Sequence, residues 1–320
     1  MKKNKIKDTG LEITELSFGT SSLGSMPDTY GYEVPEDRAQ KTLNRFFQGP
    51  VNMLDTSRNY AMGESEKRIG RAIKENGGWP KDFLLSTKLD RNMDTLVLDK
   101  NRARESLEES LKTLNVDSVD ILFLHDPEYA KDITDITKKD GAMDELFKIK
   151  NEGLAKAVGV AMGKVDIMFP LLRDWDFDVV INHNRYTLIN REANEMYDYA
   201  SSKNIAIFNA APYAGGVLAK GPDNFKKVTY QDATEEKLAP AREFEKVCKK
   251  HNVELGAAAL QFSLRDNRIT STICGVTSIE SIEKNLAWAN AEISSEFWEE
   301  ISKLPFSTND PESERVFTPG

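Results

Sequence analysis

Three polar residues stand where apolar runs end, and a fourth lies in the loop after the first of them. Asp55 follows the run at 51–54, and Tyr60 lies five residues further on. Lys88 ends Phe83-Leu-Leu-Ser-Thr-Lys88, and His125 ends Val119-Asp-Ile-Leu-Phe-Leu-His125 before Asp126-Pro127. Together these residue types can handle a proton. A free phenol titrates at about 10, too high for proton transfer near neutrality. An ammonium beside it favours the phenolate and lowers that value. A carboxylate keeps the ammonium charged and oriented, and an imidazole can hydrogen-bond a substrate oxygen. Such a set polarises a carbonyl and protonates it, or takes a proton from a hydroxyl. It cannot supply a hydride, so it implies a redox cofactor. Each residue also has a plainer reading. Lys88 and Asp55 can be a rim ion pair, Tyr60 packing, and His125 a satisfied strand-end histidine.

What positions these residues is a repeated strand–helix alternation. Apolar runs at 16–20, 51–54, 83–88, 119–125, 155–160, 178–181, 205–209 and 269–273 read as strands buried on both faces. Helical spacing follows them at 35–47, 64–73, 102–114, 143–152, 165–172, 192–203, 235–250, 255–265 and 279–289, with a further helix at 297–304. Leu107, Leu111 and Leu114 show the spacing plainly. Residues 6–13 read as a tight hairpin turning at Thr9-Gly10. Residues 216–234 have no clear period and read as a long loop, and 306–320 as an irregular tail. Eight alternations without a linker-like break predict one domain over 1–320, an α/β (β/α)₈ barrel with an N-terminal β-hairpin. Residues at the carboxyl ends of barrel strands are where chemistry gathers. An open doubly wound sheet is the alternative. Gly19-Thr-Ser-Ser-Leu-Gly24 does not fit its glycine-rich turn, and Gly159-Val-Ala-Met-Gly163-Lys164 is one residue short of a phosphate loop.

The chain has 320 residues and a net charge of −9, which argues against a nucleic-acid or anionic-membrane surface. No apolar run approaches the ~20 residues of a membrane span. The basic start Met-Lys-Lys-Asn-Lys has no apolar segment after it, unlike a signal peptide. Cys248 and Cys274 make no disulfide or metal pattern, and no metal site is expected. Cytoplasmic residence is the corresponding expectation.

The pattern Asp55-x-x-x-x-Tyr60-x-x-Gly63-x-Ser65-Glu66-x-x-x-Gly70, with Lys88 and His125, resembles the aldo-keto reductases along the whole chain. The resemblance implies a nicotinamide dinucleotide bound without a Rossmann fold. It makes Tyr60 the general acid/base, Asp55 and Lys88 the groups that tune it, and His125 the orienter of the substrate oxygen. Two stretches, Arg185-Tyr-Thr-Leu188 and Asn209-Ala-Ala-Pro-Tyr213-Ala-Gly-Gly216, are similar to the aldose 1-dehydrogenase branch. By the same resemblance the cofactor would meet Gly19, Thr20, Asp55, His183, Ala211, Pro212, Tyr213, Gly275, Val276, Thr277, Ser281 and Asn285. Ala161-Met162 replaces the family's frequent Ser-Asn after strand five, and Ala210 stands where an aromatic often stacks on nicotinamide. Gly275 and Ser281 occupy positions where NADP-binding relatives carry a lysine and an arginine. Loss of that arginine fork points to NAD in preference to NADP, although Lys284 remains within reach of a phosphate. Asn59 and Asp90, with Tyr60 and His125, are the candidate substrate contacts. Polar groups there suit a polyhydroxylated substrate, or are solvated rim residues. The expected activity is NAD(P)-dependent oxidation of an aldose at C1 to a lactone. The alternatives are NADPH-dependent reduction of small aldehydes or ketones, and a cofactor-binding regulatory barrel without significant turnover.

Overall fold

Residues 1–315 are described by a computed structural model of the chain. Two short strands, β1 (Lys3–Ile6) and β2 (Leu11–Thr14), pair as the N-terminal hairpin. Then come β3 (Leu16–Gly19), β4 (Met53–Asp55), β5 (Leu84–Leu89), β6 (Val119–His125), β7 (Ala155–Met162), β8 (Val179–His183) and β9 (Ala206–Ala210). After a small hairpin, β10 (Lys227–Val228) and β11 (Gln231–Asp232), comes β12 (Ile269–Gly275). Strands β3 to β9 follow one another in space, and β12 pairs in parallel with both β9 and β3. The sheet is therefore a closed parallel barrel, as the eight alternations predict.

Alternation along each strand divides the apolar side chains between two clusters. On β6, Ile121 and Phe123 face the barrel interior with Met53, Leu84, Val179 and Phe208. Leu122 and Leu124 face outward into the layer that packs on the helices. Ile6, Leu11 and Ile13 of the hairpin join the interior cluster, so the hairpin plugs one end of the barrel. The other end, where the strands finish, is left for the polar residues. Helix–helix contact is close where the sequence permits: a methyl group on Gly70, in helix Glu64–Glu75, would strike the Thr113 carbonyl.

The structure differs from the periodicity in the connections. Residues 216–234 hold a helical turn, Val217–Lys220, and the β10–β11 hairpin; they are too short and too Gly- and Lys-rich to show a period. Strands β7, β8 and β12 run on to Met162, His183 and Gly275. The last helix is Ser295–Ile301, earlier than its apolar residues imply, because Ser294 caps it by accepting from the Phe297 amide. The tail from 306 is irregular but bridges Asn190 through Ser307, and its residues 316–320 lie outside the described part.

Candidate active site

Asp55 and Lys88 reach the open end of the barrel from β4 and β5. Asp55 is 4 % exposed and Lys88 1 %, so the pair is buried. An ammonium has three hydrogens to give. Lys88 Nζ donates to the Asp55 carboxylate at 2.8 Å, the Thr56 carbonyl at 2.6 Å and the Tyr60 hydroxyl at 3.1 Å. Ser86 Oγ donates to the second oxygen of Asp55 at 2.6 Å. The Tyr60 oxygen is thus an acceptor toward Lys88, which leaves the phenol's own hydrogen for another partner. Across the cleft the rings of Tyr60 and His125 meet edge to face at 5.7 Å.

The motif residues between Asp55 and Gly70 explain how Tyr60 is held. Ala61, Met62 and Gly63 all have positive φ, 50°, 53° and 92°. This left-handed turn throws Tyr60 back over the barrel mouth, and two of its residues carry side chains that disfavour it. Helix Glu64–Glu75 starts at once. Its Ser65 hydroxyl bonds the Thr20 carbonyl at 3.0 Å, and Thr87 donates to Glu66 at 2.6 Å. These two bonds lash the helix to the ends of β3 and β5.

Electrostatics reverse one expectation. Tyr60 is not made more acidic by Lys88. Burial first, then the Asp55, Asp126 and Asp90 carboxylates, push the phenol well above its ordinary value. Desolvation is the largest cause, and the Asp55 carboxylate acts in the same direction. His125 shifts the other way from a typical buried histidine. Burial lowers it, but the carboxylates of Asp126 and Asp90 outweigh burial and raise it.

Asp90, expected as a substrate contact, lines the cleft with its carboxylate held by the chain. It is fully buried. One oxygen lies 2.5 Å from His125 Nδ1; the other accepts from Ser57 Oγ at 2.6 Å and from the Asn59 amide at 3.1 Å. Asn59 also lines the cleft, its side chain turned toward the Arg91 carbonyl.

From this polar floor a cleft of about 460 Å³ runs to the start of helix Ile279–Ala289. Gly19, Thr20, Asp55, His183, Ala211, Tyr213, Gly275, Thr277, Ser281 and Asn285 line it, as do Ala161, Met162 and Ala210. Pro212 and Val276 do not; both are buried beneath the wall, Val276 with its amide on the Gly19 carbonyl. Ser281 and Asn285 are already engaged. The Ser281 hydroxyl caps the helix start, accepting from the Thr277 and Ser278 amides at 3.0 Å. Asn285 accepts from the Tyr213 hydroxyl at 2.5 Å. The volume and the bare backbone at Gly19, Gly215 and Gly275 fit an extended small molecule such as a dinucleotide.

Sequence reasoning missed the roof. Tyr30, from the connection after β3, packs edge-on against Tyr230 of the β10–β11 turn at 5.8 Å, and the Arg315 guanidinium lies 5.2 Å from the Tyr230 ring. The tail reaches this place through Glu312, which is 3 % exposed. Glu312 accepts from Asn184 at 2.7 Å, Arg185 at 3.0 Å and Arg315 at 2.8 Å, and lies 3.5 Å from His183. Despite burial, these partners hold its carboxyl well below the ordinary range. Arg185, in the Arg-Tyr-Thr-Leu run, is therefore an anchor for the tail.

Comparison with known proteins places the barrel among characterised relatives. The model of the aldo/keto reductase family matches residues 15–305. The chain is 30% identical over 284 residues to an L-galactose dehydrogenase from Arabidopsis thaliana, covering 88% of this chain and 85% of the relative. It is 27% identical over 321 residues to a D-threo-aldose 1-dehydrogenase from a Pseudomonas species, covering 92% and 94%. Among solved structures, an aldo-keto reductase from Bacillus halodurans in its holo form superposes with a TM-score of 0.79 at 21% identity, covering 99% of this chain and 100% of the other.

Proposed function

The chain belongs to the aldo/keto reductase family, and from that premise we propose that it is a nicotinamide-dependent aldose dehydrogenase oxidising the C1 hydroxyl of a sugar hemiacetal to a lactone. The observation that carries this reading is the convergence of Tyr60, Lys88, Asp55 and His125, with Lys88 donating to Tyr60 at 3.1 Å. The two dehydrogenase relatives support the direction and the substrate class. Asn59, Arg91, Asp126 and Arg315 around the cleft supply polar groups suited to a polyol.

A bound nicotinamide would exchange the hydride that side chains cannot carry. The backbone at Gly19, Gly275 and Ala211 and the side chain of His183 would hold the dinucleotide along the cleft. Tyr60 and His125 would meet the substrate oxygen, the phenol being the proton carrier that the family resemblance implies. NAD is the preferred cofactor of this reading. Neither Gly275 nor Ser281 offers a cation, and Arg45 is bound to Glu283 at 2.6 Å. Cytoplasmic residence is part of the same proposal.

The test is initial rates with NAD and NADP over a panel of aldoses that includes L-fucose and L-galactose, at neutral and alkaline pH. Reduction of NAD by one of these sugars is expected. Turnover of simple aldehydes with NADPH alone, and no sugar oxidation, would overturn the proposal.

A further inference from the structure

A second cavity, of about 250 Å³, lies where the tail crosses the loop after β8. Asn184 and Thr187 of that loop line it, and the β10–β11 hairpin and the tail close its other sides. Two side-chain oxygens here have no partner among the described residues, Asn184 Oδ1 and Thr187 Oγ1. Both residues are fully buried. Turning the Asn184 amide would not remedy this. Its Nδ2 donates to Glu312 at 2.7 Å, and a carboxylate only accepts, so Oδ1 is the atom left over. A buried polar group without a partner is costly, so two on one cavity call for an occupant that hydrogen-bonds. The volume far exceeds what one or two bridging waters need.

The chemistry of the wall selects the occupant. The charged residues that line it are paired within the chain: Lys237 with Glu314 at 2.6 Å, and Asp310 with Arg185 at 2.5 Å. Hydroxyls and amides are left to face a ligand, and they suit a partner whose own hydroxyls both donate and accept. Ile189 and Val228 add apolar surface for the C–H face of a ring.

From these observations we propose that this cavity is a second binding site, for a neutral polyhydroxyl compound about the size of one monosaccharide, and that its occupant pins the tail against the cleft. The coupling is direct. The Asn184 amide that would meet the occupant through Oδ1 holds Glu312 through Nδ2. Glu312 in turn accepts from Arg315, which lines the cleft. Two other residues of the cavity hold the tail backbone: Asn190 donates to the Asn309 carbonyl at 2.9 Å, and Thr229 to the Pro311 carbonyl at 3.0 Å. The inference does not rest on the proposed sugar oxidation, and holds equally for a reductase with the same tail.

The probe is a methyl galactoside, whose capped C1 cannot be oxidised to a lactone, so no turnover is needed. Calorimetric titration of the whole chain should show it binding. Thr187→Val removes one orphaned hydroxyl at nearly constant volume and should weaken binding about tenfold, the worth of one hydrogen bond. Val228→Phe should fill the cavity and abolish binding. Neither residue lines the cleft, so nicotinamide affinity, read by fluorescence, should be the same in both variants and in wild type, which also shows that they fold. A crystal structure grown with the probe should place it against Thr187. Ordered water alone in the cavity, or binding at crystal concentration only, overturns the proposal. Titration heat undiminished in both variants overturns it too, since the probe then sits elsewhere. Pinning is read by hydrogen exchange. The probe should slow exchange of the amides of residues 307–313 in wild type and not in Val228→Phe; unchanged exchange in wild type refutes the pinning. Failure of every sugar in the oxidation panel would instead sink the proposed function and leave these results standing.

Discussion

The Lys88–Asp55 pair offers a quantitative test of how the site is held. Two opposite charges are buried at 1 % and 4 % exposure, 2.8 Å apart. Lys88→Met leaves the Asp55 carboxylate with the Ser86 hydroxyl as its remaining described side-chain donor. Removing one member of a buried pair costs about 3–5 kcal/mol, because the other charge is stranded. Asp55→Asn strands the ammonium less severely. Lys88 keeps the Thr56 carbonyl and the Tyr60 oxygen, so a loss of about 2–3 kcal/mol is expected. The double variant strands neither charge and should lose far less than the sum, with a coupling of about 3 kcal/mol. The assay is urea unfolding of the four proteins at pH 7, followed by fluorescence of the four tryptophans. Additivity within about 0.5 kcal/mol would refute the argument, since the two groups would then not depend on each other.

Other expectations follow from single features. Tyr60→Phe should lower turnover by roughly 10²–10⁴-fold while NAD affinity, read by fluorescence titration, stays the same; full activity would remove the phenol from the mechanism. Glu66 is buried, and burial raises its carboxyl to about 7 although Thr87 donates to it. The folded chain therefore binds a proton between about 7 and the unfolded value of about 4.3, and wild-type stability falls as pH rises through that window. Glu66→Gln should be more stable than wild type by about 2 kcal/mol at pH 8, the gain shrinking toward pH 5; a loss at pH 8 would contradict this. Met62 is 59 % exposed with φ 53°, so Met62→Gly relieves left-handed strain without losing buried contacts. It should gain about 0.5–1 kcal/mol, seen as a melting temperature higher by about 1–2 °C, and a lower one would show that the side chain earns its place.

The barrel was legible because its strands are buried on both faces and its helices on one, so apolar runs and helical spacing survive in the letters. The three polar strand ends, Asp55, Lys88 and His125, were legible for the same reason, since polarity at the end of a buried run is conspicuous. Asp90 was seen, but its partner was not. From letters alone a carboxylate two residues after Lys88 looks like a pocket wall, and only the register of β5 against β6, Leu89 beside Leu124, brings it under His125. The expected lowering of the Tyr60 pKa by Lys88 does not appear, because the sequence gives charges without their desolvation. The tail's contacts were illegible: Asp310 and Glu312 have no period, and their partners Asn184 and Arg185 lie more than a hundred residues away.

Closing the barrel has a cost in time. Its seam joins β3 to β12, and the Ser17 and Ser271 hydroxyls that meet across it at 2.6 Å are 254 residues apart. At a synthesis rate of 5–20 residues per second, β12 emerges roughly 13–50 s after β3. For that interval a nascent chain carries one edge of β3 without its partner, a template for wrong pairing. Chaperone demand during synthesis should therefore be set by this seam more than by final stability. Pulsed hydrogen exchange during refolding would show it as late protection of the Leu16–Gly19 amides.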